Sequence, residues 1–256
     1  MEKIIEYLKE IERKKNVRIL YACETGSRAW GFPSPDSDYD VRFIYMHERD
    51  WYLSLNKGRD SMEFAIENDF DITGWDLKKS LVLLKKSNAP LIERFQSPVE
   101  YFSGPAFRDE FKSLITAYYS PTAVFYHHFS LAKKFWEDIK DKEEIRLKNY
   151  FYLLRSLLSC NWIIKDKSVV PMHIEGLMTQ IDGSVRGEIR KLITLKATVG
   201  EKYLHPADIS LNQWIEEIWS VLENSKNDLE VNSADYSLLN QFFLKSLYAK
   251  DDDRMG

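Results

Sequence analysis

The residues best suited to chemistry lie close together near the start of the chain. Gly26-Ser27 is followed, after a turn-rich segment, by Asp38 and Asp40, which stand two positions apart at the start of an apolar run. Alternate residues of a strand point to the same face, so we expect these two carboxylates to lie side by side. Carboxylates that close repel each other unless a proton or a cation lies between them. Oxygen ligands of this kind suit Mg²⁺.

The Gly26-Ser27 turn is suited to binding phosphate. The N–H groups of a turn bind anions, a glycine lets a ligand approach the backbone closely, and the serine hydroxyl adds a donor. Together with a metal-binding carboxylate pair, such a turn predicts phosphoryl or nucleotidyl transfer. Arg28 and Lys78 are further candidates for nucleotide binding. Arg42 shares the strand face of the two aspartates, where it would hold a carboxylate or bind the nucleotide.

Two simpler interpretations of the acidic segment compete with this one. Asp36, Asp38 and Asp40 would serve only as turn formers, because Pro-Asp-Ser-Asp is ordinary turn chemistry. A calcium loop beginning at Asp36 is excluded by spacing, since Val41 and His47 stand where a glycine and a glutamate are needed. The Gly-Ser pair before the acidic segment and the Gly-Trp-Asp segment after it favour the catalytic interpretation.

A third carboxylate is expected from a neighbouring strand. Phe70-Asp71-Ile72-Thr73 is typical of a strand, and Asp71 faces away from the apolar residues on either side of it. A carboxylate placed against a core would be costly, whereas beside a metal ion it is reasonable. The alternative is a salt-bridged aspartate at the edge of the sheet.

These motifs resemble the DNA polymerase β-type nucleotidyltransferase superfamily, in which Gly-Ser or Gly-Gly is followed by Asp-x-Asp or Asp-x-Glu on a strand. Residues 71–79, 86–90 and 97–98 resemble its RNA-ligase-associated, polymerase-like branch, and the resemblance covers roughly residues 15–102. It implies a nucleoside triphosphate substrate and Mg²⁺ or Mn²⁺ as cofactor. It also supports Asp38, Asp40 and Asp71 as metal ligands and catalytic residues.

Helical and strand patterns alternate up to residue 102 and become purely helical after residue 104. We therefore predict an α+β protein, with a small mixed β-sheet domain and flanking helices at 1–102 and an all-helical domain at 103–256. The predicted elements of the first domain are a helix at 2–14, strands at 17–23 and 38–45, a hairpin within 61–75 turning at Glu67-Asn68, and a helix capped by Asp76 and ended by Asn88-Ala89-Pro90. Helices of the second are predicted at 105–119, 121–137, 143–165, 172–181, 184–199, 210–223 and 234–248, before an acidic tail at 251–253.

The composition of the chain indicates its cellular compartment and the partners it can contact. The chain has 256 residues, a formal net charge of −4 and two cysteines that form no metal-binding or disulfide framework. No apolar run reaches membrane-spanning length and the N-terminus lacks a signal-peptide core, so we expect a cytoplasmic protein without membrane contact. Because the chain is not basic overall, any contact with nucleic acid must come from a local patch.

The predicted reaction transfers a nucleoside monophosphate from a nucleoside triphosphate to an acceptor hydroxyl. Asp38 and Asp40 are expected to bridge two Mg²⁺ ions, one of them shared with Asp71, which is the candidate for taking the hydroxyl proton. An RNA end in repair or processing is one acceptor; a protein or a small molecule is an alternative. A catalytically silent RNA- or protein-binding partner is a third interpretation, against which the intact carboxylate set argues. If the carboxylates repel without metal, Asp40→Asn should slightly stabilise the metal-free fold.

Overall fold

The computed structural model describes residues 1–56, 58–64, 69–104, 106–225, 229 and 235–249. The helices are α1 (Glu2–Lys15), α2 (Gly26–Trp30), α3 (Arg49–Leu53), α4 (Leu77–Lys85), α5 (Ala89–Arg94), α6 (Phe107–Tyr118), α7 (Pro121–Ile139), α8 (Leu147–Asp166), α9 (Ile174–Leu177), α10 (Gly183–Lys196), α11 (Ile209–Ser225) and α12 (Ser237–Tyr248). The strands are β1 (Val17–Thr25), β2 (Tyr39–His47), β3 (Ser61–Glu63), β4 (Phe70–Asp76), β5 (Glu100–Ser103), β6 (Glu144–Arg146) and β7 (Leu204–Pro206).

The central sheet is mixed, as the sequence predicts. Its five strands lie in the order β3-β4-β2-β1-β5, and β2 and β4 are the parallel pair, while the other neighbours are antiparallel. The parallel pairing brings the first residues of β2 and β4 to the same edge of the sheet, because both strands start there. This edge is where the acidic residues of both strands lie.

One face of the sheet is covered by α1. Ile4, Leu8 and Ile11 recur at helical spacing and are buried, so the helix presents one apolar face. That face packs in one hydrophobic cluster with the alternate residues Val41 and Phe43 of β2. The other residues of β2, including the aspartate and arginine of the motif, therefore point to the opposite face.

The chain forms two compact units whose boundaries differ from the predicted division at residue 102. The first unit comprises Met1–Gly26, Asp38–Tyr119 and Asn232–Gly256, and the second comprises Ser27–Ser37 and Ser120–Val231. The difference has a physical reason in aromatic packing. Phe111 of α6 stacks on Phe95 at a ring distance of 4.2 Å, and Phe242 of α12 contacts Phe107 and Phe111. Both helices therefore belong to the unit that contains the sheet.

The second unit contains one short β-ribbon beside its helices. Ile145 pairs with His205 between β6 and β7, which form a two-stranded antiparallel ribbon. These three-residue strands escape prediction because they are too short to show an alternating pattern. Helix α8 consequently begins at Leu147, where the predicted helix began at residue 143.

The element predictions for the first unit are confirmed in their main features. Helix α1, strands β1 and β2 and the Asp76 cap are present, and β3 pairs with β4 as a hairpin would require. The predicted hairpin turn at Glu67-Asn68 and the predicted acidic tail at 251–253 lie outside the described residues. The sequence did not predict helix α5. The side chain of Asn88 caps this helix, because its Oδ1 accepts a hydrogen bond from the backbone N–H of Leu91 at 3.0 Å.

In the part of the chain that is described, none of the helices combines the length and the apolar character that crossing a membrane requires.

Candidate active site

Asp40 and Asp71 lie side by side at one edge of the sheet. The parallel register of β2 and β4 pairs them directly, so both side chains leave the same face. Their side chains retain 29% and 34% exposure, against 19% for Arg42 on the same face. The face is therefore open enough for a ligand to reach both carboxylates.

The guanidinium of Arg42 joins these two carboxylates. Its Nη2 lies 2.9 Å from Asp40 Oδ1 and 2.7 Å from Asp71 Oδ2. Its Nη1 donates to the carbonyl oxygens of Asp71 at 2.7 Å and Val41 at 3.1 Å. Of the two roles that the sequence left open for Arg42, these contacts favour holding carboxylates. They also supply the cation that two neighbouring carboxylates need.

Gly26 makes room for Asp40. Its φ is +64°, and a Cβ built on it would lie 2.0 Å from Asp40 Oδ2. Any other residue at this position would collide with a carboxylate oxygen, and would also adopt a backbone conformation that side chains disfavour. Sequence reasoning gave Gly26 only the role of admitting phosphate, since the chain pattern contains no sign of this contact.

Glu24 supports the same strand edge and was missed by sequence reasoning. It is buried, and its carboxylate accepts hydrogen bonds from the backbone N–H of Asp40 at 2.9 Å and from the Tyr101 hydroxyl. The hydroxyl of Thr25 donates to the carbonyl oxygen of Asp40 at 3.1 Å. A charged residue inside the apolar run of β1 was the available signal, because a buried carboxylate requires partners.

Ser27 and Arg28 belong to the second unit, where both contact Ser37. The Ser27 hydroxyl lies 3.1 Å from the Ser37 hydroxyl, and Arg28 donates to the Ser37 carbonyl oxygen at 2.7 Å. Ser37 in turn donates to Glu201 Oε1 at 2.7 Å. The predicted phosphate-binding serine is thus the first member of a chain of polar contacts within this unit.

The series of polar contacts that begins at Ser27 ends at Lys148 and Lys196. Lys196 is 2% exposed and donates to Ser34 at 2.6 Å and to Glu201 at 3.2 Å, while Lys148 lies 3.0 Å from the second oxygen of Glu201. Burial lowers the pKa of Lys196, and the pairing with Glu201 opposes this only in part. Burial acts to raise the pKa of Glu201, but the Ser37 hydrogen bond and the two lysines outweigh it and hold the pKa below its usual range. Sequence reasoning missed this network because its members are far apart in the chain.

One of the predicted site residues, Lys78, is placed apart from the Asp40–Asp71 pair. It follows Asp76, the last residue of β4, which lies about 17 Å along the strand from Asp71 at the usual rise per residue. Its backbone N–H donates to the capping carboxylate of Asp76 at 2.8 Å, and its side chain is exposed. Lys78 therefore lies at the opposite end of β4 from Asp71. Asp38 is exposed and precedes β2, which begins at Tyr39, so strand geometry does not align it with Asp40.

The donor set at this edge suits a hard cation. Within the described ranges, no group of three or more His, Cys, Asp or Glu side chains is arranged to hold a metal ion. Mg²⁺, however, is usually bound by one or two carboxylates together with substrate phosphates. Asp40 and Asp71 meet that lower requirement through their shared face and partial exposure.

A mixed sheet with a Gly-Ser turn and paired strand aspartates defines the class of the protein as a nucleotidyltransferase. The chain belongs to the RNA repair pathway DNA polymerase beta family, RlaP, whose sequence model matches residues 1–245. It is 38% identical over 250 residues to the uncharacterized protein YcgL of Bacillus subtilis (strain 168), covering 96% of each chain.

Among solved structures, the chain is similar to the spectinomycin adenyltransferase AAD(9) from Enterococcus faecialis, whose crystal structure contains ATP and spectinomycin. The TM-score is 0.43 at 13% sequence identity, and the match covers 89% of this chain and 99% of that one.

Proposed function

We propose that the protein transfers a nucleoside monophosphate from a nucleoside triphosphate to a hydroxyl at an RNA end, in a reaction that depends on Mg²⁺ or Mn²⁺. The observation that carries this proposal is the direct pairing of Asp40 with Asp71 on an open face beside Gly26. The family's description, which names an RNA repair pathway, supports the choice of acceptor.

In this proposal, the site residues bind the cation and the triphosphate. Asp40 and Asp71 hold the divalent cation, with Asp38 as a further exposed carboxylate near the same edge. When bound, the cation supplies charge stabilisation at the phosphoryl oxygens. Gly26 keeps the backbone open beside Asp40, and Ser27, the next residue, donates its hydroxyl to the triphosphate. Arg28 adds positive charge for the phosphates.

The bond changes follow from this arrangement. The acceptor oxygen attacks the α-phosphorus in line, a new P–O bond forms, and the bond to the β-phosphate oxygen breaks so that pyrophosphate leaves. Asp71 takes the proton of the acceptor hydroxyl, because its carboxylate is the more exposed of the pair.

Incubation with each α-³²P-labelled nucleoside triphosphate tests the proposal. The acceptors are RNAs with 3′-hydroxyl or 3′-phosphate ends, a protein pool and a small-molecule pool, each with Mg²⁺, Mn²⁺ or EDTA. We expect label on the 3′-hydroxyl RNA with either metal, none with EDTA, and at least a hundredfold loss in Asp71→Asn. Asp50→Asn is the matched control, because its carboxylate side chain is 90% exposed on α3.

Three results would contradict the proposal. Equal labelling by Asp71→Asn and wild type would refute the carboxylate assignment. Undiminished transfer in EDTA would refute metal dependence. Label confined to the protein or small-molecule pool would refute RNA as the acceptor.

A further inference from the structure

Arg42 occupies the place between the two carboxylates to which the proposed function assigns a divalent cation. We infer that Arg42 is a built-in counter-ion that competes with this cation, so that tight metal binding requires the phosphates of the nucleotide. The inference rests on the proposed metal role of Asp40 and Asp71, and it adds a condition under which metal binds.

The competition follows from which oxygens are available. Asp40 Oδ2 faces Gly26 so closely that a Cβ there would be 2.0 Å away, so little space is left for a cation between Gly26 and this oxygen. Arg42 Nη2 already contacts Asp40 Oδ1 at 2.9 Å and Asp71 Oδ2 at 2.7 Å. A Mg²⁺ ion needs carboxylate oxygen at about 2.0–2.1 Å, much closer than a guanidinium nitrogen approaches. A cation bound at the two oxygens that Nη2 contacts must therefore displace Nη2 from at least one carboxylate.

Arg42 is well anchored while it holds this place. Nη1 donates to the backbone carbonyl oxygens of Val41 and Asp71, so the guanidinium is fixed by the strands as well as by the carboxylates. These backbone contacts do not depend on the carboxylates. They allow Nη2 to release a carboxylate while the rest of the side chain stays against the sheet.

Charge explains why the nucleotide is needed. Two carboxylates and one guanidinium leave a net charge of −1, which attracts a dication less than two free carboxylates do. Arg94 adds another positive charge on this side of the sheet, where it stacks on Trp75 at 3.5 Å from the ring centre. Burial and, in smaller part, the positive charge of Arg42 lower the pKa of Arg94 to about 9. A triphosphate brings several negative charges, which offset this repulsion and supply additional oxygen ligands.

Mn²⁺ binding measured by electron paramagnetic resonance tests the inference without any turnover. The proteins are wild type, Arg42→Met and Arg42→Lys, each with and without a nucleotide analogue that has a methylene bridge between the α- and β-phosphates. Wild type should bind Mn²⁺ at least tenfold more tightly with the analogue than without it. Arg42→Met should bind Mn²⁺ alone at least tenfold more tightly than wild type does, and should show a smaller gain from the analogue.

Arg42→Lys is the second variant, in case the methionine variant folds poorly. It keeps the charge but loses the planar fork that reaches two carboxylates at once, so its affinity for Mn²⁺ alone should rise severalfold. Arg49→Met is the matched control, because Arg49 is largely exposed and its ion pair with Asp50 is long, at 3.7 Å. Its Mn²⁺ affinity should equal that of wild type.

Thermal unfolding gives an independent readout. Without Mn²⁺, Arg42→Met should melt at a lower temperature than wild type, because two carboxylates lose their counter-ion, and Mn²⁺ should restore part of the loss. The inference is overturned if neither Arg42 variant binds Mn²⁺ alone more tightly than wild type. A wild type that binds no Mn²⁺ even with the analogue would instead contradict the proposed function.

Discussion

At the scale of single residues, the surroundings of Asp40 decide what the acidic motif does. Its side chain meets Gly26 on one side and Arg42 on the other, and its backbone N–H is held by the buried Glu24. In the metal-free protein, Asp40 therefore shares one counter-ion, Arg42, with Asp71. Mutations here act through one carboxylate whose position is fixed by the end of β1 and by its own strand, β2.

Gly26→Ala should impair both folding and nucleotide transfer. The new methyl group would collide with Asp40 Oδ2, and the positive φ adds a conformational cost of about 1–2 kcal/mol. Urea unfolding and the labelling assay measure the two effects. Gly187→Ala is the matched control, because nothing lies within 4 Å of its added Cβ within helix α10. It should stabilise the protein by about 0.5–1 kcal/mol and leave transfer unchanged. A fully active, equally stable Gly26→Ala would disprove the steric role.

Asp40→Asn should destabilise the metal-free protein by about 1 kcal/mol, the upper end for a partly exposed ion pair. The structure thus reverses the sign expected from the sequence, because Arg42 at 2.9 Å removes the repulsion on which that expectation depended. Chemical denaturation in EDTA measures the change, and the transfer assay should show complete loss of activity. An increase in stability would indicate that the two carboxylates still repel each other.

At the scale of elements, the segment between Gly26 and Asp38 is held within the second unit by aromatic and polar contacts. Phe32 stacks on Phe151 of α8 at 4.6 Å, and Trp30 contacts Tyr152 of the same helix at 5.6 Å. Glu201 receives the hydrogen bond of Ser37 at 2.7 Å. The position of α2 and of the loop after it therefore depends on residues more than a hundred positions away.

Glu201→Gln should lower stability at pH 7 and have progressively less effect as the pH falls below about 4.5, the ordinary carboxyl value. The folded-state pKa of Glu201 is depressed, so its contribution is present above the unfolded pKa and lost as pH falls through the folded one. Urea unfolding at pH 7 and at pH 4 gives the comparison. The exposed Glu216→Gln on α11 should change stability by less than about 0.5 kcal/mol at either pH. A pH-independent difference for Glu201→Gln would contradict the ionic role.

At the scale of the whole molecule, the chain passes from the first unit to the second twice. It leaves after Gly26 and returns at Asp38, then leaves after Tyr119 and returns at Asn232. A unit assembled from three separate segments cannot be recovered by one cut in the chain. The motifs that carry the resemblance lie within roughly residues 15–102, whereas the family model matches residues 1–245 and so extends into both units.

A fragment of residues 1–102 should fail to fold cooperatively. It lacks Phe107, Phe111 and Phe242, which in the full chain form a ring cluster with Phe95. Phe95 is fully buried in the complete protein and would lose its stacking partner at 4.2 Å. Thermal circular dichroism of the fragment beside the full chain checks this. A sharp melting transition in the fragment would restore the division at residue 102.

The sequence by itself determined the elements whose signals are local. Apolar spacing gave α1 and continuous apolar runs gave β1 and β2, because these patterns depend on neighbouring residues. The Gly-Ser and Asp-x-Asp motifs identified the class of enzyme. It could not give β6 and β7, which are too short for a pattern, or the α5 helix that Asn88 caps.

Only the tertiary structure determined which charged side chains meet at the site. Arg42 meets Asp71, 29 positions later, because β2 and β4 pair in parallel and in one particular register. Lys196 meets Ser34 across 162 positions of chain. A shift of one residue in register would send Asp71 to the opposite face of the sheet. Local patterns define which face a side chain takes, but the partner across that face depends on strand order and register, which are fixed only when the whole sheet assembles.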